Sequence, residues 1–117
     1  MYYQRIIKTK TKEITLTHTY LGLYFNHKQI SDSYLYNAQL LNEKIQSFIG
    51  EDKIEDDVTF LFTETQQIIL RGTENMVITI HNLTSSVYKE YYFNIPYKYF
   101  SIADMALFFL KKEKKHS

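Results

Sequence analysis

A chain of 117 residues with 44% hydrophobic and 23% charged side chains has the size and balance of one globular domain spanning 1–117, which argues against disorder or a fibrous repeat. It has no Cys, so disulfide scaffolds, thiol catalysis and thiolate metal sites are excluded, and it has no Trp and three Gly against eleven Tyr and eight Phe. The net charge of +1 hides a polarity: Arg5, Lys8, Lys10 and Lys12 make one basic end, Lys111, Lys112, Lys114 and Lys115 make the other, and residues 51–57 are acidic.

In chain order, residues 2–8 suggest a short strand. Residues 12–25 predict a longer one, because Ile14, Leu16, His18 and Tyr20 alternate with Glu13, Thr15, Thr17 and Thr19. Asn26, His27 and Lys28 read as a turn. From residue 33 to 49 the period changes, and Tyr34, Ala38, Leu41, Ile45 and Phe48 fall on one face of an amphipathic helix. Ser31 or Asp32 is expected to cap its start, and Gly50 to close its end in the left-handed conformation.

After the acidic loop, residues 57–63, 67–71, 76–83 and 88–95 are short and rich in β-branched or aromatic residues, which predicts a meander of four strands. Pro96 should end the last strand. Ser101 with Asp104 forms a variant capping box that opens a second helix, over which residues 102–110 leave hardly any polar face. Such a helix is either buried on several sides or presented to a partner. The expected fold is therefore α+β: a single antiparallel sheet of about five to six strands with two helices, in the order β-β-α-β-β-β-β-α. That order resembles the profilin-like and longin-type scaffolds, which commonly serve as adaptors, although it carries no residue motif.

Chemistry is poorly represented. His18 is the one histidine expected on an apolar face, where a core His held by a hydroxyl or carbonyl competes with a general base or ligand. No His pair has the spacing of a zinc motif. Asp56 and Asp57 are the densest carboxylates, but adjacent strand residues point to opposite faces, so they should not converge, and they read as a solvated loop leading into a strand. No nucleotide-binding, hydrolase or metalloprotease motif occurs. Neither an enzyme, a cofactor nor a metal is expected.

The aromatic load points instead to contact surfaces. Tyr88, Tyr91, Tyr92, Tyr97 and Tyr99, interspersed with Lys89 and Lys98, form a Tyr-rich stretch, and Phe108, Lys111 and Lys112 belong to the apolar last helix and its basic end. Tyr gives large contact area at little entropic cost. The expectation is a small non-catalytic protein-binding module, an inhibitor, adaptor or regulator of the kind found among phage or mobile-element accessory proteins. The alternative is a small nucleic-acid-binding protein that stacks bases on Tyr88 and Tyr92 and holds phosphates with lysines. An isoelectric point near 7.9 favours the first, since dedicated nucleic-acid domains lie above about 9. A homodimer built on the last helix is a third use of the same surface. Neither a secretory signal nor a bilayer-spanning stretch is visible, and a cytoplasmic location is the expectation.

Overall fold

Apolar and polar residues alternate through both halves of the chain, and both halves fold as antiparallel meanders. The computed structural model describes residues 2–72, 76–83, 88–93 and 101, with the backbone alone at Tyr88 and Phe93. The first meander comprises β1 (Tyr2–Thr9), β2 (Glu13–Thr19), β3 (Gly22–Phe25) and β4 (Lys28–Ile30). A 3-10 helix (Asp32–Leu35) and the helix α1 (Ala38–Ile49) follow. The second meander comprises β5 (Ile54–Phe62), β6 (Gln66–Arg71), β7 (Met76–Asn82) and β8 (Tyr88–Phe93). The two join where β1 pairs with β5, which gives one eight-stranded antiparallel sheet in the order β4-β3-β2-β1-β5-β6-β7-β8.

This order explains the helix. The chain leaves β4 at one edge and must return to the middle to start β5, four strand positions away. Four inter-strand spacings are about 19 Å, and twelve helical residues rise about 18 Å, so α1 has the reach to cross the first meander obliquely. Its buried stripe, Leu41, Ile45 and Ile49, belongs to one hydrophobic cluster with Ile14, Leu16, Leu23 and Phe25 from the covered face of the sheet. The same cluster continues through Tyr3, Ile7 and Leu61 to Ile68, Leu70, Ile78 and Ile80 of the second meander. Each fully buried aliphatic side chain contributes about 1.5–3 kcal/mol.

Local chemistry sets the ends of α1. The Asn37 side chain accepts a hydrogen bond from the Leu40 amide at 3.0 Å, and Lys12 Nζ donates to the Phe48 carbonyl at 2.9 Å, where the helix dipole favours a cation. Thr9 and Thr11 hydroxyls both donate to Asp52 Oδ2, which ties the β1–β2 hairpin to the segment after the helix. The Thr11 hydrogen bond is the main reason the Asp52 carboxyl is held below its ordinary range.

Several expectations change. The sheet has eight strands, not five or six, and four of them precede the helix instead of two. The segment expected as one strand over 12–25 turns back at Tyr20 and Leu21, because Gly22 takes φ +132°, a backbone that side chains rarely adopt. Asn26 and His27, at φ +47° and +71°, then form the tight turn into β4 that the sequence suggested. The helix starts at Ala38 rather than Ser33, with Asn37 as its cap, while Ser31 caps the 3-10 helix by accepting from the Ser33 amide. Gly50 closes α1 with positive φ but with ψ −124°, outside the left-handed helical basin. The meander of β5 to β8 has its expected topology. The second helix expected after Ser101 lies outside the described residues. Among the described residues no helix is long and apolar enough to cross a membrane.

Candidate functional site

The register divides the strand residues between two faces. The covered face carries Tyr3, Arg5, Ile7, Ile14, Leu16, Leu61, Ile68 and Leu70, all of them buried. The other face, termed open because α1 packs on the opposite side, carries rows that cross the strands. One row runs Tyr24, Thr17, Gln4, Phe60, Ile69, Thr79 and Glu90, and a second runs Thr15, Ile6, Val58, Arg71, Val77 and Tyr92. A third, at one end of the sheet, runs Tyr2, Phe62, Gln67 and His81 to the backbone position of Tyr88. Aromatic, β-branched and amide side chains dominate these rows. The acidic and basic residues near them are interleaved: Lys8 stands between Glu13 and Asp56, and Glu90 accepts a 2.6 Å hydrogen bond from the Tyr92 hydroxyl.

The two ends of the sheet differ in kind. One end carries Lys8, Lys10, Lys12, Glu13, Lys28, Lys53, Glu55, Asp56 and Arg71 on its turns and strand ends. The other carries the tip Tyr20–Leu21, the turn 63–65, Leu83 and the start of β1 at Tyr2. Its formal charges among the described residues are Glu64, Lys89 one residue into β8 and, past the end of β4, Asp32. Tyr20 is 96% exposed, Leu21 61% and Leu83 53%, and with Tyr2 they are four of the seven large hydrophobic side chains exposed among the described residues.

That end is braced rather than loose. The Leu21 amide donates to Thr19 Oγ1 at 3.1 Å, and Gln29 Nε2 donates to the Leu21 carbonyl at 3.3 Å from a position that a Cβ on Gly22 would contest. The Leu83 amide donates to the Thr65 carbonyl at 2.8 Å, which fixes the exit of β7 to the β5–β6 turn. The Tyr2 and Phe62 rings meet at 5.9 Å beside it.

The residues singled out from sequence fall in several places. Tyr92 is 71% exposed on the open face, as its alternation implied, and Lys89 follows the covered-face register opposite Ile80 and is half-buried. Tyr88 takes the open-face register opposite His81. Tyr97, Lys98, Tyr99, Phe108, Lys111 and Lys112 lie outside the described residues. The Tyr20–Leu21 tip was missed because alternation continues through Tyr20. The signal that could have found it is Gly22 itself.

The candidate chemical groups do not assemble a reactive centre among the described residues. His18 is on the covered face, opposite Tyr3 and Leu23, but partly exposed, while His81 is on the open face and His27 in a turn. No three His or carboxylate side chains among the described residues converge as metal ligands would. Asp56 and Asp57 diverge as expected, yet they belong to β5 and not to a solvated loop, and Asp57 is buried. Its two oxygens accept from Arg5 Nε at 2.9 Å and Nη2 at 2.7 Å, a bidentate pair that leaves the carboxylate committed. Tyr3, wholly buried nearby, has its pKa pushed up to about 12, chiefly by burial, with the attraction of Arg5 opposing and the repulsion of Asp57 adding.

The chain matches no protein-family model, no curated protein and no solved structure. The resemblance in element order to profilin-like and longin-type scaffolds does not carry over, since four strands precede α1.

Proposed function

We propose that this chain is a small non-catalytic protein-binding module that docks through the charge-poor end of its sheet and the adjoining part of the open face. The observation that carries this is the braced, exposed set Tyr2, Tyr20, Leu21 and Leu83 at the end that holds fewer charges among the described residues. Interface cores are enriched in aromatic residues and depleted in charged ones, and an anchor held in place before binding loses little entropy when it binds. Phe62, opposite Tyr2, extends the contact onto the open face. A nucleic-acid partner is disfavoured, since Lys8 and Arg71, the bases on this face among the described residues, stand at the other end and Lys8 is flanked by acids.

The test is a paired substitution, Tyr20→Ser with Leu21→Ser, compared with Lys10→Ser with Lys53→Ser at the charged end. The first pair should leave the circular dichroism spectrum and melting temperature nearly unchanged, because both side chains are exposed, and should weaken co-purification of a partner at least about tenfold, as loss of a hot spot does. Equal loss from both pairs, or recovery of nucleic acid alone, would refute the assignment.

A further inference from the structure

On the helix side of the sheet, a groove of about 490 Å³ opens between β3, the 3-10 helix and α1. Three aromatic rings from three separate elements line it: Phe25 from β3, Tyr34 from the 3-10 helix and Phe48 from α1. Phe25 and Phe48 meet edge to face at 5.6 Å, so their ring planes differ by 75°. A cation already sits against two of them, while Lys12 Nζ lies 5.7 Å from the centre of the third, Phe48. Lys44 Nζ lies 5.1 Å from the Phe25 ring centre and 5.7 Å from that of Tyr34, both within the range at which a ring face attracts positive charge. Glu43, in the same lining, adds a carboxylate.

The ammonium of Lys44 is a poor long-term occupant. A primary ammonium is strongly hydrated and carries three N–H donors, none of which a ring face satisfies as well as water does. A methylated ammonium carries the same charge with fewer donors and a weaker hydration shell, so it gives up less on entering the rings. Lys44 hangs on a flexible four-carbon stem and is only half-buried, which lets it swing out. The groove is open along one side, unlike the enclosed cavities that bury most of a free small molecule, and that shape suits a side chain offered by another chain.

We propose that the groove is a recognition pocket for a methylated lysine side chain of another protein, with Lys44 as the internal surrogate that fills it when no ligand is bound. The pocket lies on the face opposite Tyr92 and requires nothing of the docking end built on Tyr20 and Leu21.

The test is a titration of the folded chain with N-acetyl-trimethyllysine amide, followed through the aromatic proton–carbon resonances of Phe25, Tyr34 and Phe48. N-acetyl-lysine amide, choline and sodium chloride serve as comparison titrants. Saturable shifts confined to the three rings are expected with the trimethylated probe. Lys44→Gln should tighten its binding roughly two- to fivefold, the worth of one competing cation–ring contact at a partly exposed site. Phe48→Ala, at a partly exposed position, should weaken binding by a similar factor while the spectrum of the rest of the chain is retained. No saturable shift in the Lys44→Gln variant, or an equal response to the unmethylated probe, would overturn the pocket. Unchanged affinity in Lys44→Gln would overturn the surrogate role, and tighter binding of choline than of trimethyllysine would overturn the side-chain source.

Discussion

Arg5 and Asp57 show most sharply how single residues shape this molecule. Both are buried on the covered face among Tyr3, Ile7 and Leu61, and each satisfies the other through two hydrogen bonds. Removing one partner of such a pair leaves a charge in a medium that solvates it poorly, so Asp57→Ala should destabilise the fold by about 3–5 kcal/mol in urea unfolding. The double variant Arg5→Met with Asp57→Leu should lose clearly less, because apolar replacement removes the desolvation problem along with the attraction. Equal losses would mean that the pair is not the determinant. Tyr3 supplies a pH test. Its folded pKa of about 12 lies above the unfolded value near 10, so its contribution is complete below pH 10 and is lost as pH rises towards 12. Relative to Tyr3→Phe, the natural chain should therefore lose on the order of 2 kcal/mol between pH 10 and pH 12, read from urea midpoints. A constant difference across that window would contradict the burial argument. Neither feature was legible in the sequence, because Arg5 and Asp57 are fifty-two positions apart and only the β1–β5 register brings them together.

At the scale of elements, the second meander was legible and the first only in part. The strands β5 to β8 are rich in β-branched and aromatic residues and are separated by short links, so composition and loop length sufficed. Around β2 and β3, alternation passes through Tyr20 without a break, and the turn depends on backbone geometry at Gly22 rather than on a polar cluster. The 3-10 helix was absorbed into the predicted α-helix because Tyr34 and Leu35 fit its apolar stripe, although the chain winds tighter there and Asn37 restarts it. The turn between β3 and β4 makes a prediction of its own. His27 holds φ +71° in a turn that prefers Asn followed by Gly, so His27→Gly should relieve strain of up to about 1 kcal/mol and raise the melting temperature by a few degrees. A fall in melting temperature would show that His27 makes a contact worth more than its strain.

For the whole molecule, the topology produces its asymmetry. Two meanders growing outward from the β1–β5 pair place every second turn at the same end of the sheet, so local turn chemistry sums into a property of the end. The charged turn 10–12, the start of β5 and the end of β6 collect at one end, and the tips at Tyr20, Leu21 and Leu83 at the other. Sequence reasoning had located charge polarity along the chain, with basic ends and an acidic middle. In three dimensions Lys8 pairs across strands with Glu13 and Asp56, so bases and acids that the sequence separates become neighbours. The aromatic surface was anticipated at Tyr92, whereas the exposed end could be recognised only once strand order was known. The most direct measurement is site-specific photo-cross-linking in the source cells, with the cross-linking residue placed at Leu21 or Leu83 and, for comparison, at Lys10 or Lys53. Discrete protein adducts at positions 21 and 83 but not at 10 and 53 are the predicted result. Adducts of equal yield at both ends, or nucleic-acid adducts alone, would contradict it.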